Sequence, residues 1–336
     1  MRGVRLVVGA VIGVAIILWL LQFTGAGKVL NIILGADLTY VVLAAGLFIA
    51  ASVLVSFALF IPLKQWGRDP SLGKVIMASF GGQLLGDVTP ARSGYFVTPI
   101  ILNQLDNIPL DSGATSVVTT GAVNFFAKAV LSSVSLAYFA TFLPLASSLD
   151  DALILGVLIS IAAGLGLSLL IWTEHLGKVL ERLGRIGPLT GVLNRLEFLR
   201  RVRKEGQRVK RFIPQMAVLI VLSMITNGAA LFAISVALHY SLPFLDLVFI
   251  GSIVSALMYI PITIAGLGVQ ETGYVVFLSL LGMPLGTATA FALIARFLFT
   301  GTDIIGIQSL LKMRFTAQAE EKKPTTPEPA QLEQRD

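Results

Sequence analysis

Cysteine is absent from the 336 residues, which excludes disulfides and thiolate metal sites and leaves the redox compartment unmarked. Histidine is nearly absent. His175 and His239 sit at opposite predicted helix ends, so they cannot assemble a metal ligand set or an acid–base pair, and no cofactor is implied. Charge is scarce as well, at 13% of residues against 55% that are hydrophobic. The mean hydropathy of +0.85 is more apolar surface than a soluble domain carries without aggregating. The weak alternation over about ten residues that marks a membrane β-barrel is missing too. Present instead are apolar runs of about 20 residues, the length a helix needs to cross a bilayer core.

The first run, Val4 to Phe23, follows Arg2 and Arg5 and so has the flank of a secretory signal. It is long for a signal core and lacks a small-x-small cleavage site, and is therefore read as a membrane helix. Further spans are expected at Leu38 to Ile61, Ser112 to Leu143, Ala152 to Trp172, Phe212 to Tyr240 and Thr287 to Leu311. Two segments, Val75 to Leu105 and Leu245 to Leu281, are each broken halfway by Gly, Pro and charge.

Net charge is +6, and its distribution sets an orientation. Between Glu174 and Arg211 stand eleven Lys or Arg against four Glu. Such a loop reads as cytoplasmic and attracted to anionic lipid; nucleic-acid binding has no supporting aromatic or fold motif. Arg2, Arg5, Lys64, Arg68, Lys74, Lys312 and Arg314 then share the cytoplasmic side with both termini. The opposite loops hold Lys28, Asp37, Asp150, Asp151 and Asp246.

This orientation requires Val75 to Leu105 to start and finish on the cytoplasmic side, and Leu245 to Leu281 to start and finish outside. Each becomes a re-entrant hairpin whose arms of about 12 to 15 residues reach the bilayer middle. The expected fold is an all-α polytopic membrane protein with about six full spans and two re-entrant helical hairpins. Leu38 to Leu143 and Phe212 to Leu311 form an inverted-topology repeat, a plan common among secondary transporters. "SGYFV" after the first tip and "TGYVV" after the second are a faint echo of it. The simpler alternative is a bundle of eight or nine kinked spans. Residues 1–311 form the membrane domain, with the basic loop at 173–211. Residues 312–336, polar and Pro-rich, are expected to be disordered.

Two constellations carry candidate chemistry. The first tip, "GGQLLGDVTPARSGYF", brings Asp87, Thr89 and Arg92 together, and a guanidinium fork suits phosphate or carboxylate. The second, "PITIAGLGVQET", holds Thr263, Gly266, Gly268, Gln270 and Glu271 after Pro261. Irregular backbone at membrane depth survives only where it is packed in protein or lines a watery cavity. Lys128, Arg296 and Asp303 add charge inside spans. Each such charge costs about 2.5–3.5 kcal/mol at a helix centre, so the six together ask for a reason. Three acids and three bases suit a paired structural network; they also suit the lining of a translocation path.

The two tips resemble motifs of the lysylphosphatidylglycerol synthase transmembrane-region family. "TPARSGYFVTPIIL" is similar to its TP-G-R-x-G-E region and "IPITIAGLGVQET" to its P-x-x-x-G-G-x-G-x-x-E region. Ala265 replaces the first glycine of the second motif, and Tyr95 stands where the first often has Glu. The resemblance implies a lipid-handling domain of the flippase type. Its substrates would be aminoacylated or other anionic phospholipids, or polyprenyl-phosphate-linked sugars. With only polar chain after Leu311, an aminoacyl-transferase domain and synthase activity are not expected. In this reading Arg92 engages a phosphate and Lys128 or Arg296 assists, while Glu271 with Asp303 holds the bases or carries a coupling proton. Two alternatives remain open: a lipid-headgroup enzyme with Asp87 or Glu271 as base, and a non-catalytic partner of a glycosyltransferase or synthase working through the basic loop.

Overall fold

A computed structural model describes residues 2–64, 69–90, 92–142, 147–172, 190–259, 263 and 266–313. These residues are mostly helical, with no strand among them. The helices are α1 (Arg2–Thr24), α2 (Ala26–Leu34), α3 (Leu38–Lys64), α4 (Leu72–Asp87), α5 (Thr98–Asp106) and α6 (Leu110–Phe142). They continue with α7 (Ser147–Trp172), α8 (Thr190–Val209), α9 (Ile213–Ala237), α10 (Phe244–Leu257), α11 (Val269–Leu280) and α12 (Leu285–Asp303). A 3-10 turn, Ile304–Gly306, carries α12 on into a last helical stretch that ends at Met313.

Several helices are apolar on every side, as lipid or protein must surround them. Four are long and apolar enough to cross a membrane: Leu38–Lys64, Leu110–Thr141, Arg200–Ala237 and Leu285–Met313. A fifth span results if Gly9–Thr24 and Ala26–Leu34, bent by 88°, count as one. Six full spans were expected. The difference lies in α1, which turns sharply at Gly25, and in α7, whose described apolar stretch is Val157–Leu169. The exposure pattern is inverted relative to a soluble protein. Phe297 is 78% exposed while Glu271 is 0% exposed, which is the arrangement lipid imposes.

Hydroxyls and small residues join the helices, since lipid supplies no hydrophobic drive for helix association. Ser223 Oγ donates to the Ala51 carbonyl at 2.9 Å between α9 and α3, and Ser132 Oγ to the Ser252 carbonyl at 2.9 Å between α6 and α10. Ser116 Oγ donates to the Leu59 carbonyl at 2.6 Å, fixing α6 on α3. The largest apolar cluster joins Leu20, Val29 and Phe48 of the first three helices and Phe139 of α6 to Leu231, Ile253, Phe277 and Phe291 from the second half of the chain. A smaller one, with Leu59, Val75, Ile101 and Leu102, supports the first broken segment.

Both broken segments are helix–break–helix units. The first is α4, a turn, the 3-10 helix Ser93–Val97 and α5; the second is α10, a turn around Gly266–Gly268, and α11. The arms run 16 and 9 residues in the first and 14 and 12 in the second. The echoed pentapeptides differ in conformation: "SGYFV" is 3-10, whereas "TGYVV" lies within α11. The basic loop is not irregular where it is described. Residues 190–209 form α8, which meets the start of α6 through Thr115 Oγ1 to the Val202 carbonyl at 3.2 Å and Arg201 Nε to Asp111 at 3.3 Å. Helix α2 was also not anticipated. The rest of the basic loop, the tail after Met313, Pro261 and Ala265 lie outside the described residues.

Candidate functional site

The first break starts where α4 runs out at Asp87. A carboxylate there faces the negative end of the helix, an unfavourable position unless a cation answers it. Arg92 does so, with Nη2 2.8 Å from Asp87 and 3.5 Å from Asp303 at the end of α12. Its guanidinium also lies 5.0 Å above the ring of Phe299. Arg92 has φ 55°, a left-handed conformation uncommon for a long side chain. Thr89 holds that turn, accepting from the Gly94 N–H at 2.7 Å and donating to the Leu85 carbonyl at 3.0 Å. A side chain at Gly94 would collide with the Leu85 carbonyl, so the motif glycine is needed for the close return of the chain.

In the second break Gly268 caps α11 with φ 82°, and Gly266 has φ 70°. Glu271, three residues on, accepts the Gly268 N–H at 2.7 Å, half of a capping box at a helix N-terminus that favours an acid. Its other oxygen sits 3.2 Å from Arg296 Nε, and Arg296 Nη1 donates to Gln270 Oε1 at 2.6 Å. Glu271 is thus a positioning residue. It holds Arg296 and the start of α11, and it lines neither cavity. Thr263 is buried nearby with its hydroxyl facing no protein partner.

Between the two breaks lies a cavity of about 120 Å³, walled by α3, α4, α6 and α9 and closed by Arg92, Tyr95, Tyr259 and Phe299. A contiguous space of about 80 Å³ shares Arg92, Lys128, Met224, Asn227 and Phe299 with it and reaches Gln270 and Tyr274. Volumes of this size hold several waters when polar groups line them. Here Gln83, Asn124, Asn227, Arg92 and Lys128 do. Gln83 Nε2 is buried without a protein partner, and its Oε1 lies 3.5 Å from Ser52 Oγ.

Lys128 is the exception in the charge pattern. Its ammonium donates to the Tyr259 hydroxyl at 2.9 Å and stands 4.8 Å over the same ring. Among the described residues no carboxylate comes within 4.0 Å of it. The six intramembrane charges therefore do not form one paired network. Among the described residues they separate into Arg92 with two acids, Arg296 with Glu271, and Lys128 with a tyrosine.

Of the residues singled out from sequence, Arg92, Lys128 and Gln270 line the cavities. Asp87, Thr89 and Asp303 secure Arg92, while Gly268 and Glu271 secure the second tip together with Arg296. Tyr259, Gln83, Asn124, Asn227 and Phe299 were missed. Asn124 stands four residues before Lys128 and thus on its helix face, a visible signal; the others meet only through tertiary packing. No group of three or more His, Cys, Asp or Glu placed to hold a metal ion occurs among the described residues.

Apolar helices exposed to lipid, with a charged cavity between two helix breaks, define a polytopic helical membrane protein with an internal polar site. Over residues 6–303 the chain matches the model of the lysylphosphatidylglycerol synthase TM region family, and it belongs to that family. No curated protein matches it.

Proposed function

We propose that this protein is a flippase-like lipid transporter that moves an anionic headgroup through the cavity between the two breaks while the acyl or prenyl tails stay in the bilayer. The observation that carries the reading is Lys128, a half-buried cation held by a tyrosine and facing a polar cavity with no carboxylate within 4.0 Å among the described residues. Keeping an uncompensated charge inside a membrane is costly unless an anion visits it. Arg92 faces the same space, so a phosphate between them meets two donors, one a guanidinium suited to oxyanions. The substrates are an anionic or aminoacylated phospholipid or a polyprenyl-phosphate-linked lipid, the class for which a small polar cavity beside lipid is suited.

On this reading the two broken segments are re-entrant hairpins of an inverted repeat, the protein resides in the cell membrane with both termini cytoplasmic, and it transports rather than catalyses. Family membership and the convergence of both breaks on one cavity support it. The test is movement of labelled phosphatidylglycerol and labelled polyprenyl phosphate between leaflets of proteoliposomes. Wild type is expected to move at least one of them, with Lys128→Gln reducing the rate tenfold or more, about 1.4 kcal/mol or more in the barrier. Movement of neither lipid, or full activity in Lys128→Gln, overturns the proposal.

A further inference from the structure

The polar space between the two breaks has two chambers that differ in their walls. The larger, of about 120 Å³, includes Phe96, which is 42% exposed, so this chamber reaches the lipid-facing surface. The smaller, of about 80 Å³, has no exposed side chain among the described residues of its wall. Arg92 and Lys128 belong to both walls and so stand where the chambers meet. A phosphodiester held there has two ester arms. The arm that carries the tails leaves past Phe96 toward lipid, and the headgroup arm enters the closed chamber.

What the closed chamber accepts follows from its polar groups. Asn227 lines both chambers, and its amide has no hydrogen-bond partner among the described residues, so it offers donors and an acceptor. Ser252 Oγ donates to the Val248 carbonyl at 2.9 Å and Ser255 Oγ to the Ser252 carbonyl at 2.8 Å. With their protons committed to their own helix, both hydroxyls can only accept from a guest. An alcohol group answers both kinds, donating to a serine oxygen and accepting from the asparagine N–H. An ammonium group does not, because it brings another cation beside Lys128 where no carboxylate lines either chamber among the described residues. An ion leaves water at far greater cost than a neutral group unless an opposite charge meets it. Size sets a second limit: at roughly 10–15 Å³ per water-sized site, about 80 Å³ takes about six non-hydrogen atoms, a glycerol but not a glycerol extended by an amino acid. Deepening the transport reading, on which this rests, we infer that Asn227, Ser252 and Ser255 form a headgroup subsite selective for a small uncharged polyol. The lipid carried is then a phosphodiester with a glycerol-sized hydroxylated headgroup, and lipids whose headgroup bears an ammonium, the aminoacylated ones included, are rejected.

Titration calorimetry on the full-length protein in detergent tests this with three short-chain probes. Dihexanoylphosphatidylglycerol carries the polyol, dihexanoylphosphatidylethanol has the same charge without hydroxyls on its headgroup, and dihexanoylphosphatidylethanolamine carries the ammonium. Wild type is expected to bind the glycerol probe about fivefold or more tighter than the ethanol probe, the worth of one or two hydrogen bonds. It is expected to bind the ethanolamine probe about tenfold or more weaker than the glycerol probe. Asn227→Leu, similar in size, brings the glycerol probe down to the affinity of the ethanol probe and leaves the ethanol probe unchanged. Ser255→Ala does the same in part, and it decides the matter should Asn227→Leu fail to fold. Equal affinity of wild type for the glycerol and ethanol probes, or equal or tighter binding of the ethanolamine probe, overturns the inference. So does a glycerol preference that survives in the folded variants, or a loss in Asn227→Leu that is the same for all three probes, which marks a merely structural role. Binding of none of the probes overturns it as well. The transport reading falls separately, on the absence of lipid movement in proteoliposomes.

Discussion

Arg92 Nη2 lies 3.5 Å from Asp303, so the turn of the first broken segment is anchored on the end of α12 more than two hundred residues away in sequence. Asp87 completes the anchor from the near side at 2.8 Å. Removing Arg92 strands two buried carboxylates, and breaking such a pair costs about 3–5 kcal/mol. Arg92→Ala is therefore expected to unfold much earlier than wild type in detergent. Adding Asp303→Asn removes one stranded acid and is expected to restore roughly 1 kcal/mol or more. Strictly additive losses in the double variant would show that the two residues are not coupled.

Tyr259 contributes two separable interactions to Lys128, an acceptor at 2.9 Å and a ring face at 4.8 Å. Tyr259→Phe deletes only the first, with a loss of about 1–2 kcal/mol for a hydrogen bond to a charged group. Tyr259→Leu also deletes the second and costs roughly another 1 kcal/mol. The measurement is the affinity for dihexanoylphosphatidylglycerol at constant pH, expected to fall in the order wild type, Phe, Leu. Equal affinities in all three place the tyrosine outside the headgroup path.

Local signals in the chain were readable in proportion to how local their causes are. Glycine, proline and charge inside apolar runs marked both breaks, and Asp87–Arg92, five residues apart, is a pair that the turn itself creates. Glu271 with Gly268 is equally local, an acid three residues into a helix capping its own N-terminus, yet the sequence reading took Glu271 for a partner of the bases or a proton carrier and missed the cap. The Arg92–Asp303 and Lys128–Tyr259 pairs were not readable, since sequence places charges on faces without showing which faces meet. The bend at Gly25 and the helix over 190–209 were missed for a different reason. Charge density and short length masked helices whose partners are α12 for α2 and α6 for α8.

Gly268 is the position where backbone and packing agree. At φ 82° an L-residue is strained, and an added Cβ would lie 2.8 Å from Ile16 Cβ on α1. Gly268→Ala is thus expected to cost about 1–2 kcal/mol from backbone conformation alone and to push α1 away from the tip. The absence of cysteine makes this measurable, because two introduced thiols are the only ones present. Ile16→Cys with Leu267→Cys is expected to crosslink readily in the Gly268 background and several-fold more slowly with Gly268→Ala. Undiminished crosslinking would mean that α1 does not rest on the tip.

The same freedom from cysteine makes the hairpin topology testable one position at a time. If α4 and α5 form a re-entrant unit, its two flanks share one side of the membrane. Gly73→Cys, where an added Cβ meets nothing within 4 Å, and Leu110→Cys, at an exposed helix start, report those flanks. Ser241→Cys and Leu285→Cys report the flanks of the α10–α11 unit, both at exposed positions. With a membrane-impermeant maleimide, Gly73 and Leu110 variants should label together from the cytoplasmic face, and the Ser241 and Leu285 variants together from the opposite one. Labelling of Gly73 and Leu110 from opposite faces would make the first unit a kinked full crossing. The inverted repeat would then be lost, because three crossings instead of two would separate α3 from α9, and an odd number leaves the second unit in the same orientation as the first.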